Sequence, residues 1–101
     1  MNLDELEQLK ANAELAVALL KRMAHKDRLL ILCHLTTGEL SAGELSRRSL
    51  LSQSAFSQHL AVLRAESLVK TRKESQTVYY SLANEHVLDV LATLKQIFCQ
   101  K

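Results

Sequence analysis

Five polar side chains that can bond to nucleic-acid bases lie close together between residues 52 and 58. They are Ser52, Gln53, Ser54, Ser57 and Gln58. They fall on the first two turns of a predicted helix, away from its apolar positions Phe56 and Leu60. Glutamine can bond adenine through two hydrogen bonds, and serine can pair with several bases. An uncharged, polar helix start of this kind is typical of a helix that enters a DNA groove.

Basic and polar residues that follow this cluster in the chain predict contacts with the DNA backbone. The expected contacts are His59, Arg64, Arg72, Lys73 and Gln76. Residues 41–82 carry six basic and three acidic side chains, a net charge of +3, whereas residues 1–40 carry five basic and six acidic ones, a net of −1. Phosphate contacts supply most of the affinity of a DNA-binding protein and make it dependent on salt. The positive excess therefore lies where phosphate contacts are expected.

Apolar periodicity and turn residues predict the elements that hold these side chains. The predicted helices span about 3–23, 26–37, 41–48 and 52–66, and a last one begins near 84. Gly38 stops the second helix, and Ser41 with Glu44 forms a capping box for the third. Strands over 68–73 and 77–82, with a polar turn at 74–76, follow the fourth helix. This order, α-α-α-α-β-β-α, predicts a mainly α protein with a winged helix-turn-helix.

The bulk composition predicts one folded domain over 1–101. The chain has 48% hydrophobic residues, two glycines and no proline, which favours a largely helical fold. The long apolar faces of the first and last helices exceed what one small domain covers, so we expect an oligomer. No apolar run is long enough for a membrane span and the N-terminus is acidic, so we expect a cytoplasmic protein. No nucleophile–base set or glycine-rich phosphate loop is present, and neither an enzyme nor a cofactor is predicted.

The segments LSQSAFSQHLAVLR and LVKTRKESQTVYYSL resemble the ArsR/SmtB family of dimeric winged-helix transcriptional regulators. The resemblance extends over nearly the whole chain, including LLKRMAHKDRLLILCHL, and is closest to the HlyU-like branch that also contains persulfide-responsive repressors. It implies a homodimer formed by the first and last helices, bound to an imperfect inverted repeat in double-stranded DNA. Relatives usually carry glycine at the positions of Ser67 and Ser75. If both need a positive φ, each serine costs about 1 kcal/mol.

Two cysteines outside the DNA-reading unit, Cys33 and Cys99, are the candidate regulatory residues. The resemblance implies that they join within one subunit on oxidation, through a disulfide or a bridge of added sulfur, and that reactive sulfur species are the effectors. A buried helical cysteine is also a common small core residue, so an inert Cys33 stays open.

Metal sensing, a known activity of the family, lacks the expected ligands. The segment ELSAGEL has no cysteine, His86 and Asp89 lack further ligands after them, and the four histidines show no paired ligand spacing. No metal site is therefore predicted.

The leading hypothesis is a transcriptional regulator switched through Cys33 and Cys99. The alternatives are a constitutive DNA-binding activator that displaces a silencing protein, a metal-responsive repressor, and a protein-interaction module built on the winged helix.

Overall fold

The computed structural model describes residues 1–98, which form five helices and a three-stranded antiparallel sheet. In chain order the elements are α1 (Leu3–Met23), α2 (Lys26–His34), β1 (Leu40–Ser41), α3 (Ala42–Ser49), α4 (Gln53–Ala65), β2 (Val69–Glu74), β3 (Thr77–Leu82) and α5 (Glu85–Phe98). The sheet order is β1-β3-β2. The predicted winged helix-turn-helix is confirmed, with β1 as an added strand.

Two features of the region before α3 differ from the prediction. Helix α2 ends at His34 rather than near residue 37, because the N–H groups of Leu35 and Thr36 bond carbonyls only three residues back. Strand β1 pairs with β3 through Leu40 opposite Tyr80 and extends the wing into a three-stranded sheet. Two residues carry no periodic signal, so β1 cannot be recognised before its partner strand is in place.

The hydrophobic core lies between α2, α3, α4, the sheet and α5. Its buried side chains are Met23, Ile31, Leu32, Leu35, Leu45, Phe56, Leu60, Leu63, Leu68, Val69, Tyr80, Val87 and Leu91. Helix α4 supplies three of them at spacings of four and three residues, which fixes its inner face. The opposite face of α4 is consequently turned to solvent.

Helix α1 projects from this core with its apolar face uncovered. Only Met23, at its last position, is buried, whereas Leu9 and Leu15 are 52% and 70% exposed. At the other end of the chain Phe98 of α5 is 78% exposed. The radius of gyration is 15.8 Å, against about 13 Å for a compact 100-residue domain. Within residues 1–98 no helix is long and apolar enough to cross a membrane.

The backbone confirms the conformation expected where relatives carry glycine. Ser67 and Ser75 adopt φ values of 59° and 56°, in the left-handed region. Ser67 ends α4 in a Schellman motif: its N–H bonds the Arg64 carbonyl at 3.1 Å, and the next N–H, of Leu68, bonds the Leu63 carbonyl at 2.9 Å. The motif directs Leu68 into the core and starts the wing in the correct direction.

Candidate DNA-binding site

Helices α3 and α4 are held in a helix-turn-helix by caps at both starts. Ser41 Oγ accepts the Glu44 N–H at 3.2 Å and Ser52 Oγ accepts the Ala55 N–H at 3.1 Å. Between the helices Leu50 adopts φ 59°, which turns the chain sharply. The Glu44 carboxylate pairs with Arg47 and Arg48, in place of the reciprocal bond that a capping box requires.

The polar cluster predicted from the sequence lies on the exposed face of α4. Ser54, Ser57 and Gln58 are exposed, and within residues 1–98 their side chains have no hydrogen-bond partner. Ser52 is occupied as the N-cap, and Gln53 Oε1 accepts a bond from Ser46 Oγ at 3.3 Å. Three of the five predicted side chains are therefore uncommitted among the described residues, while Ser52 and Gln53 also stabilise the unit.

His59 lies at the contact between α4 and α2 and not on the exposed face of α4 with the polar cluster. Its side chain is only 20% exposed, and Nε2 lies 3.8 Å from Asp27 Oδ2 at the start of α2. Its ring centroid is 4.6 Å from that of His25, with the two planes tilted by 54°. His59 thus belongs to the contact between α2 and α4, and the predicted DNA contact does not fit this position.

Arg72, a predicted wing contact, is held by acidic residues. Its Nε and a terminal nitrogen donate to the two oxygens of Glu39 at 2.8 and 2.7 Å, and the other terminal nitrogen donates to Glu74 at 2.8 Å. The guanidinium also lies 4.4 Å from the centre of the Tyr79 ring. The hydrogen bonds raise the pKa of Arg72 above its usual value. The Arg72 side chain is 51% exposed, but its guanidinium is already paired with carboxylates in the folded chain.

The same ion pairs lower the pKa of the carboxylates involved. The hydrogen bond from Arg72 holds the pKa of Glu39 below its ordinary value of 4.5. Hydrogen bonds from Arg47 and then Arg48 do the same to Glu44. Both carboxylates therefore stay charged to a lower pH than an isolated glutamate does, and each remains paired with its arginine.

The basic side chains that remain without a carboxylate partner in the described part of residues 41–82 are Arg64, Lys70 and Lys73. All three are exposed. Gln76 is exposed in the turn between β2 and β3, beside Ser75. The side chains of Arg64, Lys73 and Gln76, which are predicted to contact phosphate, are thus accessible to solvent, and Lys70 is a further exposed cation that was not predicted.

Cys33 lies on α2, half-buried against the core. Its backbone carbonyl accepts the Thr36 hydroxyl at 2.8 Å, and Thr36 Oγ1 in turn accepts a bond from Lys95 Nζ of α5 at 3.0 Å. This chain of bonds joins the end of α2 to the last turns of α5. Cys99, the second predicted redox residue, lies outside the described residues.

Two groups at the site were missed by the sequence analysis. Glu39 binds Arg72 across 33 residues of chain, and His25 with Asp27 meets His59 across more than 30. Neither pairing has a local spacing that reveals it. The only signal in the sequence was chemical, namely an acid before the wing and a histidine at the start of α2.

Comparison with known proteins matches this architecture to bacterial regulators. Residues 25–71, which contain α2, α3 and α4, match the family described as bacterial regulatory protein, arsR family. The transcriptional activator HlyU of Vibrio cholerae is 54% identical over 100 residues, covering 99% of this chain and 90% of HlyU.

Solved structures agree with this match. The crystal structure of the transcriptional regulator HlyU from Vibrio vulnificus superposes with a TM-score of 0.88 at 52% identity, over 94% of this chain and 99% of that one. A homodimeric winged helix-turn-helix DNA-binding domain from Mycobacterium bovis, a possible ArsR-family regulator, superposes at 0.73 with 26% identity, over 89% and 83%.

Proposed function

Since this chain belongs to the arsR family of bacterial regulatory proteins and is a DNA-binding transcriptional regulator rather than an enzyme, we propose that it acts as a homodimer on an imperfect inverted repeat. Helix α4 reads the bases and the wing holds the flanking phosphates. The proposed place of action is the cytoplasm, where bacterial DNA lies.

The exposed face of α4 carries this proposal. Ser54, Ser57 and Gln58 offer donors and acceptors that suit base edges in the major groove. Arg64 lies in the last turn of α4 and Lys73 in the hairpin that follows it, and both supply the cations that phosphates require. In this proposal α4 supplies the base readout, and Arg64 with the wing supplies the phosphate contacts.

The uncovered apolar faces of α1 and α5 support the homodimer. Leu9, Leu15 and Leu20 of α1, with Ile97 and Phe98 of α5, are each more than half exposed. Burying such side chains against a second copy contributes about 25 cal/mol for each Å² removed from water. The Mycobacterium bovis relative is homodimeric by its description. Two-fold symmetry then requires a two-fold symmetric operator, with half-sites about 34–36 Å apart.

The test of this proposal measures oligomeric state and DNA binding together. We expect sedimentation of the purified protein as a dimer and a gel shift with duplexes from its own promoter region. Leu20→Glu places a charge on the apolar face of α1 and should give monomers that lose the shift. Lys10→Glu, on the same helix, is the control for a charge change. Dimers of the Leu20 variant, or no shift with any duplex, would contradict the proposal.

We further propose that bridging Cys33 to Cys99 switches operator affinity. Forming the disulfide removes two protons and two electrons, which a peroxide or a persulfide accepts. The Lys95–Thr36 bond supports the pairing, because it ties the last described turns of α5 to the end of α2 that carries Cys33. A covalent link there would shift α5 in the dimer interface and change the spacing of the two α4 helices.

Intact-mass spectrometry paired with gel shifts tests the switch. The reduced protein is treated separately with diamide, hydrogen peroxide and a persulfide donor. A bridge between Cys33 and Cys99 that abolishes the shift supports the switch, and added sulfur with the persulfide donor alone identifies the effector class. Cys33→Ser and Cys99→Ser should each keep the shift under every treatment.

One observation favours a second candidate, a constitutive regulator with inert cysteines. Cys33 packs against the core as a small apolar side chain would. In that case every treatment leaves the gel shift of the unmodified protein unchanged, and regulation comes from competition with another DNA-bound protein.

A further inference from the structure

The contact between α2 and α4 gathers three metal-ligating side chains outside the DNA-reading face. His25, Asp27 and His59 place one ligand atom each within 4.8 Å of the others. His25 caps the N-terminus of α2, Asp27 lies in the first turn of that helix, and His59 comes from the middle of α4. His59 and Asp27 are partly buried, and His25 is exposed.

We propose that His25, Asp27 and His59 form a binding site for a divalent transition-metal ion of the zinc class. Two imidazole nitrogens and one carboxylate oxygen suit such an ion, which commonly takes three protein ligands and leaves a fourth position for water. The proposal goes beyond DNA binding and does not rest on it. It also differs from the thiol switch, since none of the three ligands is a cysteine.

The three ligand atoms must move slightly closer together to bind one metal ion. Zinc lies about 2.0–2.2 Å from nitrogen and oxygen ligands, so two of them in a tetrahedral site are about 3.4 Å apart. His59 Nε2 and Asp27 Oδ2 are already 3.8 Å apart. The widest pair, at up to 4.8 Å, must close by about 1.4 Å. His25 is the exposed member, and rotation of its side chain can supply this movement.

His25 loses only one long hydrogen bond when it becomes a metal ligand. Its Nδ1 accepts the Asp27 N–H at 3.3 Å, a long hydrogen bond. A neutral imidazole has one nitrogen lone pair, so binding a metal through either nitrogen ends that bond. The Asp27 carboxylate offsets the positive N-terminus of α2, which would otherwise repel a cation. The carboxylate therefore makes a cation acceptable at this helix start.

A zinc titration of the full-length, reduced protein against a chromophoric chelator tests the site. We expect one Zn²⁺ per chain. His59→Gln and Asp27→Asn should each weaken binding at least about tenfold, the lower end of the effect of changes just outside a metal's ligands. His86→Gln, which removes an exposed histidine of α5, is the matched control and should leave the affinity unchanged.

Two further measurements distinguish zinc binding at this site from misfolding of a variant and from binding by the cysteines. Circular dichroism checks that each variant is folded, and Zn²⁺ should raise the melting temperature of the unmodified protein but not of the His59 variant. A Co²⁺ spectrum without a thiolate charge-transfer band would show that Cys33 and Cys99 are not the ligands. Equal zinc affinity in all folded variants, a thiolate band, or no zinc binding would each overturn the proposal.

Discussion

Removing the Glu39 carboxylate should release Arg72 for DNA. Glu39 accepts two of the three hydrogen bonds that hold the guanidinium, and Glu74 accepts the third. Glu39→Gln keeps the shape of the side chain but removes its charge and one of its two acceptors. The remaining contacts, with exposed Glu74 and the Tyr79 ring, are too weak to compete with a phosphate for a guanidinium.

The size of the effect follows from counterion release. Each phosphate that a protein neutralises steepens the plot of log affinity against log salt by about 0.9. One additional contact by Arg72 should therefore add about 0.9 to that slope. Between 50 and 200 mM salt, the variant should lose about 3.5-fold more affinity than the unmodified protein does. At low salt it should bind DNA more tightly.

Fluorescence anisotropy with a labelled duplex of random sequence measures this slope, because the phosphate contribution does not depend on sequence. Glu7→Gln on α1 removes the same charge far along the chain from the wing and is the control for net charge. Equal slopes for the Glu39 variant and the unmodified protein would refute the reasoning. So would an equal increase in the Glu7 variant, since the effect would then be one of total charge.

Three other changes have defined outcomes. Ser67→Gly should raise the free energy of unfolding by about 0.5–1 kcal/mol, since φ 59° strains a serine, whereas Ser67→Ala should not; urea denaturation measures both. Gln58→Ala should lower affinity for the operator about 5- to 150-fold in anisotropy titrations but leave the salt slope unchanged, and a change in slope would argue against base contact. The pKa of Glu44 is lowered in the folded state, so its carboxylate stabilises the fold above pH 4.5 and loses this contribution as the pH falls through the folded-state pKa. Glu44→Gln should therefore reduce the loss of unfolding free energy at acid pH, which urea denaturation at several pH values measures.

The DNA-reading unit was predictable because its signals are local. Phe56, Leu60 and Leu63 recur at helical spacing, and the structure buries all three on one face of α4. The cap at Ser52 and the strands on either side of residue 75 likewise depend on neighbouring residues. Periodicity and turn chemistry therefore suffice to place the exposed polar cluster and the wing.

The electrostatic state of that surface was not predictable, because it depends on pairs distant in sequence. The sequence predicted a phosphate contact for Arg72, but this arginine is paired with Glu39 on the segment before β1. His59 sits on the same helix as the reading face, yet its contact with Asp27 turns it toward α2. Both outcomes require the packing of α2 and the sheet around α4, which no local pattern encodes.

Helix α2 connects the proposed inputs to the DNA-reading helix. Its C-terminal end, at Cys33, is joined through Thr36 to Lys95 of α5, while its N-terminal end, at Asp27, contacts His59 of α4. Nine residues make a rigid element about 13 Å long, with Ile31 and Leu32 fixed in the core. Because the buried residues lie between the two ends, we expect a displacement at α5 to tilt α2 about its middle rather than translate it. Such a tilt would move the Asp27 end against α4, and through it a chemical change at the proposed dimer interface would reach α4 without disrupting the core.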